Sequence, residues 1–354
     1  MTLARYDIAK SYRWNYDHAP RPPENIAIPP IGGNWTYCGL PVPSPLAIAA
    51  GPLLNGRWIL YYAALGFDIL TYKTVRSRER ECYPLPNLQP VEQKAIGRSG
   101  TVLQTAGSME GSWAVSFGMP SMSPDVWRAD IEWTKCHLSK DKVLSVSVVS
   151  SPEPNWTLDQ LADDFALCAR WAVESGADCV ETNFSCPNVS SADGQLYQQP
   201  TAGALVAQRV RAAIGRVPLI IKVGFFDEPS RCGEFLGAVA PFADALAMTN
   251  CISAVVERSD GERFFGGQPR GIGGDAIRAA SIDQVRIFRD LVRKRDYSTQ
   301  IIGVGGISTA IHVKDYLNAG AEAVQLATAV MLDPCLGVRI RRELSAAMAL
   351  VRGV

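Results

Sequence analysis

Eight short apolar runs, each of strand length and each set off from the next by glycine, proline or a longer amphipathic stretch, constrain this chain more than any other feature. They are 45–50 (PLAIAA), 68–73 (DILTYK), 143–149 (VLSVSVV), 178–183 (DCVETN), 218–223 (PLIIKV), 244–249 (DALAMT), 301–304 (IIGV) and 323–327 (AVQLA). Between them, 155–175 carries Leu158, Leu161, Phe165, Leu167 and Trp171 at helical spacing, and 202–215 and 281–294 behave alike. Strands alternating with helices mean parallel β/α units, because a parallel neighbour is reached only through a crossover. Eight such strands predict a closed (β/α)8 TIM barrel of the α/β class, with an open doubly wound sheet as the alternative.

Two segments fall outside this rhythm. Residues 76–142 are too long for a simple connection, which predicts an insertion of loops and small strands after strand two, over the barrel mouth. Residues 1–34 read as an extended arm, with Pro20, Pro22, Pro23, Pro29 and Pro30 arguing against helix, and 35–354 as one barrel domain. The arm has neither the apolar core of a signal peptide nor a membrane-length apolar run. The 35 basic and 35 acidic residues cancel, so no global field attracts nucleic acid or membrane, and a small-molecule substrate is expected. The nine cysteines include no C-x-x-C pair, which argues against zinc or iron–sulfur sites and for a reducing cytosol.

The chemistry-bearing residues cluster at the predicted strand ends, where barrel active sites lie. Gly303, Gly305 and Gly306 in IIGVGGIS, then Ala327 and Thr328 in QLATAV, follow strands seven and eight, where backbone amides can hold a phosphate; tight turns are the plainer alternative. The segment ETNFSCPN sets Asn183, Cys186 and Asn188 at the C-terminal end of strand four. The amides suit the N–H and C=O edges of a cyclic amide, and the cysteine can supply a thiolate. Asn250 after strand six adds a third amide. Lys73 and Lys222 are lone charges in apolar runs, costly to bury unless they meet an anion; reduced flavin is one, and snorkelling to water is the alternative. His18, His137 and His312 lie in the arm, the insertion and an outer helix, and none is read as the catalytic base.

Together these strings resemble the dihydroorotate dehydrogenase family, including the related catalytic region of dihydropyrimidine dehydrogenases, from about residue 35 to 345. AAGP at 49–52, YKT at 72–74, NFSCPN at 183–188, IKVG at 221–224, and GVGG with QLATA occur in the family's order. The resemblance implies FMN, contacted by Ala50, Gly51, Lys73, Thr74, Ser145, Asn183, Lys222, Thr249, Gly274, Gly305, Gly306, Ala327 and Thr328. It implies a substrate ring held by Asn183, Asn188 and Asn250 and by the loop bearing Val115, Phe117, Gly118 and Met119. It makes Cys186, assisted by Lys73, the base that removes a proton α to a carbonyl while a hydride passes to the flavin. Cysteine rather than serine at that position resembles the soluble class, which implies a cytoplasmic homodimer.

The departures concern the substrate. The family's N-S-M-G-L-P-N loop is here Val115, Ser116, Phe117, Gly118, Met119, Pro120 and Ser121, so an amide facing the ring has become Val115; its N-P-x-P-R segment is Tyr83, Pro84, Leu85, Pro86 and Asn87, and a small polar residue has become Cys251. The expected reaction is dihydroorotate to orotate, or the same CH–CH chemistry on a dihydropyrimidine or cyclic amide. The alternatives are a specialised-metabolism flavoenzyme on another cyclic or enoyl substrate, a phosphate-binding lyase or isomerase without flavin, and a catalytically silent flavoprotein.

Overall fold

The computed structural model describes residues 3–185 and 192–352. Eight parallel strands, β1 (Leu46–Ile48), β2 (Ile69–Val75), β3 (Val143–Val148), β4 (Cys179–Asn183), β5 (Leu219–Lys222), β6 (Ala245–Met248), β7 (Gln300–Val304) and β8 (Ala323–Leu326), pair in chain order. β8 returns to β1 through Val324↔Leu46 and Leu326↔Ile48, so the sheet closes. The predicted barrel therefore forms and the open sheet does not. Every residue of β1 to β6 and of β8 is buried, which is why these strands read as continuous apolar runs rather than alternating ones.

The helices are α1 (Tyr12–Asp17), α2 (Gly56–Ala63), α3 (Pro124–His137), α4 (Leu158–Glu174), α5 (Pro200–Ile214), α6 (Pro229–Val239), α7 (Arg278–Lys294), α8 (Ala310–Asn318), α9 (Thr328–Leu332) and α10 (Leu336–Arg352). α4 starts where Thr157 and Gln160 form a reciprocal capping box, and α5 and α7 cover the other two predicted helical stretches. The main core lies between the strands and this outer helical layer. Inside the barrel a smaller cluster joins Ala47, Ile69, Val143, Cys179, Ile220, Ile302 and Ala323 to Tyr37 and Val42. The last two come from an antiparallel hairpin, Trp35–Tyr37 with Leu40–Val42, which plugs the barrel's N-terminal end.

The insertion after β2 contains small strands as predicted, Leu88–Pro90, Thr101–Gln104 and Ser112–Val115, and ends in an outer helix, α3. A second excursion, between β6 and α7, supplies Ile252–Glu257 and Arg270–Gly274, and the two build one five-stranded cap sheet. Its own apolar centre is Val91, Leu103, Ala114, Ile252, Val256 and Ile272. The second excursion escaped the sequence reading because its two strands, which pair antiparallel with each other, are also held by partners more than a hundred positions away, and periodicity sees only local order.

The expectation of an arm without helix is corrected. α1 forms at Tyr12–Asp17, capped by Ser11, whose hydroxyl accepts from the Trp14 N–H. The prolines begin at Pro20, after its end, so they limit the helix without forbidding it. Among the described residues no helix is long and apolar enough to cross a membrane.

Candidate active site

Strand geometry decides what lines the barrel. Residues two apart face the same side, so the inward rows that begin at Ile69, Val143, Cys179, Ile220 and Ala323 continue to Thr71, Ser145, Glu181, Lys222 and Gln325. They go on to Lys73, Ser147 and Asn183 at the C-terminal end. A register shift between Tyr72 and Val75 lets the consecutive residues Lys73 and Thr74 both face the cavity. The barrel floor is thus apolar and its upper interior polar.

A buried polar chain crosses this interior. Lys222 Nζ donates to Gln325 Oε1 at 3.3 Å and stands 3.7 Å from Glu181 Oε1. Gln325 Nε2 donates to Glu181 Oε2 at 2.8 Å and to the Tyr37 hydroxyl at 3.3 Å. Burial, then the neighbouring Cys179, Cys38 and Glu181, pushes the Tyr37 phenol well above its ordinary value.

Above the chain runs a trough of two adjoining cavities that share Asn250, Gly273, Val304, Ala327 and Thr328. The inner one, about 150 Å³, is walled by Ala50, Gly51, Lys73, Thr74, Glu181, Asn183 and Lys222 on the barrel side. The cap contributes Leu88, Trp113, Val115, Phe117, Gly118, Met119 and Cys251 to the same chamber. Asn183 is fixed from both ends: its Oδ1 accepts from the Ser185 N–H at 3.1 Å, and its Nδ2 donates to Met119 Sδ at 3.6 Å. Asn250 donates from Nδ2 to the Ser185 carbonyl.

The outer cavity, about 390 Å³, is bounded by Gly274, Gly305, Gly306, Arg278, Ser308 and His312. A Cβ on Gly306, at φ +65°, would lie 2.7 Å from both Arg278 Cβ and the Gly274 carbonyl, so only glycine brings the backbone this close. His312, set aside in the sequence reading as an outer-helix residue, sits in the first turn of α8 and faces this cavity. Its Nδ1 accepts from the Ser308 N–H at 3.3 Å, and burial together with Arg278 lowers its pKa from 6.5.

These residues fit FMN. The glycine-lined outer end suits a phosphate, Gly51 has open space where a Cβ would stand, and the inner end presents Lys73 and Lys222. Glu181 Oε1 has no hydrogen-bond partner among the described residues, as expected of a wall built for a polar ligand.

The arm completes the chamber. Phe117 packs edge-on against Tyr6 at 6.1 Å and Tyr12 at 6.2 Å. Met119 holds φ +54° while its carbonyl accepts from Arg76 Nε at 3.1 Å. Cys82 lies beside this wall; burial pushes its thiol up to about 11 although Lys73 pulls it down.

Of the residues singled out from sequence, Ala50, Gly51, Lys73, Thr74, Asn183, Lys222, Gly274, Gly305, Gly306, Ala327 and Thr328 line the trough, as do Val115, Phe117, Gly118, Met119 and Asn250. Ser145 is buried in the barrel, and the Thr249 hydroxyl accepts from Gln284 Nε2 at 3.0 Å; neither lines the trough. Cys186 and Asn188 lie outside the described residues. Sequence reasoning missed Glu181, Gln325 and Arg278, although the first two sit two positions before Asn183 and Ala327, a spacing that places them on the same inward rows.

Comparison with known proteins agrees with this geometry. The family model described as dihydroorotate dehydrogenase matches residues 34–348. A dihydroorotate dehydrogenase of Dictyostelium discoideum is 29% identical, over 94% of this chain and 95% of that protein. A quinone-type dihydroorotate dehydrogenase of an Arthrobacter species is 28% identical over 88% of this chain and 84% of its own length. The crystal structure of an Eimeria tenella enzyme in complex with ferulenol superposes with a TM-score of 0.70 at 18% identity, over 90% of this chain and 85% of that one, which speaks for the fold. With the family model spanning nearly the whole barrel and its cap, the chain belongs to the dihydroorotate dehydrogenase family.

Proposed function

We propose that this oxidoreductase of the dihydroorotate dehydrogenase type binds FMN and oxidises a CH–CH bond next to a carbonyl, taking dihydroorotate to orotate or a related cyclic amide to its unsaturated form. The observation that carries the reading is the single trough that joins a glycine-lined outer end to a chamber holding Lys73, Asn183 and Asn250. Gly305, Gly306, Ala327 and Thr328 would hold the cofactor's phosphate. Lys73 and Lys222 would face its ring system from the barrel side, with Ala50, Gly51, Thr74 and Gly274 around it. Bound FMN supplies a two-electron hydride acceptor. Ser145 and Thr249, which the resemblance assigns to FMN, support the site from beneath in this reading.

The residue roles follow from donor and acceptor placement. Asn183 and Asn250 each present an amide able to meet the N–H and C=O edges of a cyclic amide, and Asn188 belongs to the same motif. Cys186, three residues after Asn183, is proposed as the base whose Sγ takes the proton α to the carbonyl. Leu88, Trp113, Val115 and Phe117 of the cap would shield the reacting carbons from water. A homodimer in the cytosol belongs to the same reading, on the family resemblance alone.

A second reading, the same chemistry on a different cyclic or enoyl substrate, is favoured by one specific feature. Val115, Phe117, Met119 and Cys251 give the chamber a largely apolar wall on the cap side. One experiment separates the readings. Dihydroorotate is added anaerobically to the FMN-loaded protein while flavin absorbance is followed, and the run is repeated with Cys186→Ala. Rapid bleaching in the wild type and bleaching slowed by about a hundredfold or more in the variant are expected. Flavin that stays oxidised with dihydroorotate but bleaches with another dihydropyrimidine would move the substrate to the second reading.

A further inference from the structure

Glu181 is wholly buried, lines the inner cavity beside Lys222, and has no part in the proton and hydride chemistry above. A carboxylate in such a place is costly unless its partners are fixed. They are fixed here by Gln325. Facing an ammonium with its Oε1 and a carboxylate with its Nε2, this amide can take one orientation only, and the Tyr37 hydroxyl accepts from the same Nε2. Tyr37 belongs to the hairpin that plugs the barrel, so the ion pair is anchored to the floor of the fold. Lys222 spends one of its donors on Gln325, and Glu181 Oε1, 3.7 Å from Lys222 Nζ, accepts no hydrogen bond among the described residues.

We propose that Glu181 is a positioning residue that sets the electron affinity of the bound cofactor: clamped by Gln325, its carboxylate holds the Lys222 ammonium at the trough floor and offsets part of that ammonium's charge. The inference rests on the FMN reading. Two-electron reduction of the flavin leaves negative charge at the edge that Lys222 would face, so the net local charge sets how much more tightly the reduced form binds than the oxidised one. Removing the carboxylate raises that preference, and removing the ammonium lowers it.

The test is potentiometry of FMN-loaded wild type, Glu181→Gln, Lys222→Met and the double variant, alongside fluorescence titrations of oxidised FMN. Glu181→Gln is expected to move the flavin midpoint upward by about 30 mV or more, the equivalent of a tenfold change in relative affinity for a two-electron couple. Lys222→Met is expected to move it downward, with the double variant between the two. A purely structural role would lower FMN content or melting temperature without producing shifts of opposite sign. If Glu181→Gln fails to fold, the double variant is compared with Lys222→Met, since buried pairs are often removed together at little cost; a midpoint no higher in the double variant overturns the proposal. Wild type that takes up no FMN overturns the cofactor reading and this inference with it. FMN bound with an unchanged or lowered midpoint in Glu181→Gln overturns the inference alone.

Discussion

Val115 stands at the end of a cap strand, paired with Leu88 and Gly271, and presents methyl groups to the chamber where the family's loop carries an amide. An unpaired polar edge on a bound ring costs about 1–3 kcal/mol. Val115→Asn is therefore expected to raise kcat/KM for dihydroorotate by about tenfold or more in steady-state assays, and an unchanged value would mean that the chamber is shaped for a less polar ring. His312 gives a pH-dependent prediction. Its folded pKa lies below the ordinary 6.5, so the unfolded chain binds the proton more readily, and the stability this site contributes is complete above about pH 6.5 and lost as pH falls. Cofactor-free protein should show a lower urea midpoint at pH 5 than at pH 8, and His312→Gln should lose less over that interval.

At the scale of elements, α1 and the residues before it act on the chamber through Phe117. Tyr6 and Tyr12 are both buried and hold that ring edge-on, so a helix six residues long in the arm shapes a wall formed by the insertion about a hundred residues later. An aromatic contact of this kind contributes about 0.5–1.5 kcal/mol beyond area. Tyr12→Ala is expected to raise KM by about two- to tenfold while FMN content, read from the absorbance ratio, stays at the wild-type level. Loss of FMN in that variant would place α1 in cofactor retention instead.

At the scale of the whole molecule, α10 is tied to the N-terminal end of the barrel through one residue. Arg341 of α10 is buried with Asp68, to which it is ion-paired; it also donates to Ser44 Oγ at 2.9 Å, the Gly66 carbonyl at 2.6 Å and the Pro29 carbonyl at 3.0 Å. Lys142 meets the same Asp68 at 2.8 Å. One guanidinium thus ties the arm, the entries to β1 and β2, and α10 together. Arg341→Ala leaves a buried carboxylate short of a partner, and a loss of about 3–5 kcal/mol is expected from guanidinium denaturation. A loss below about 1 kcal/mol would show that Lys142 alone suffices.

The barrel and half of the trough were legible in the sequence because their signals are local. A strand buried on both faces is an apolar run, a parallel neighbour demands a helix between, and lone lysines and asparagines at strand ends mark the open face by position. Lys73, Asn183, Lys222 and Gly306 were readable on those grounds. The cap was only half readable: the insertion after β2 announced itself by length, whereas Ile252–Glu257 and Arg270–Gly274 became strands through pairing with Thr101–Gln104 and Ser112–Val115. Tertiary structure alone decided that Glu181, Gln325 and Tyr37 share one buried chain with Lys222, and that His312 faces a cavity rather than solvent. The physical reason is the same in each case. Sequence periodicity fixes which side of an element a residue takes, but closing the ring of eight strands decides which residues from distant elements meet inside it.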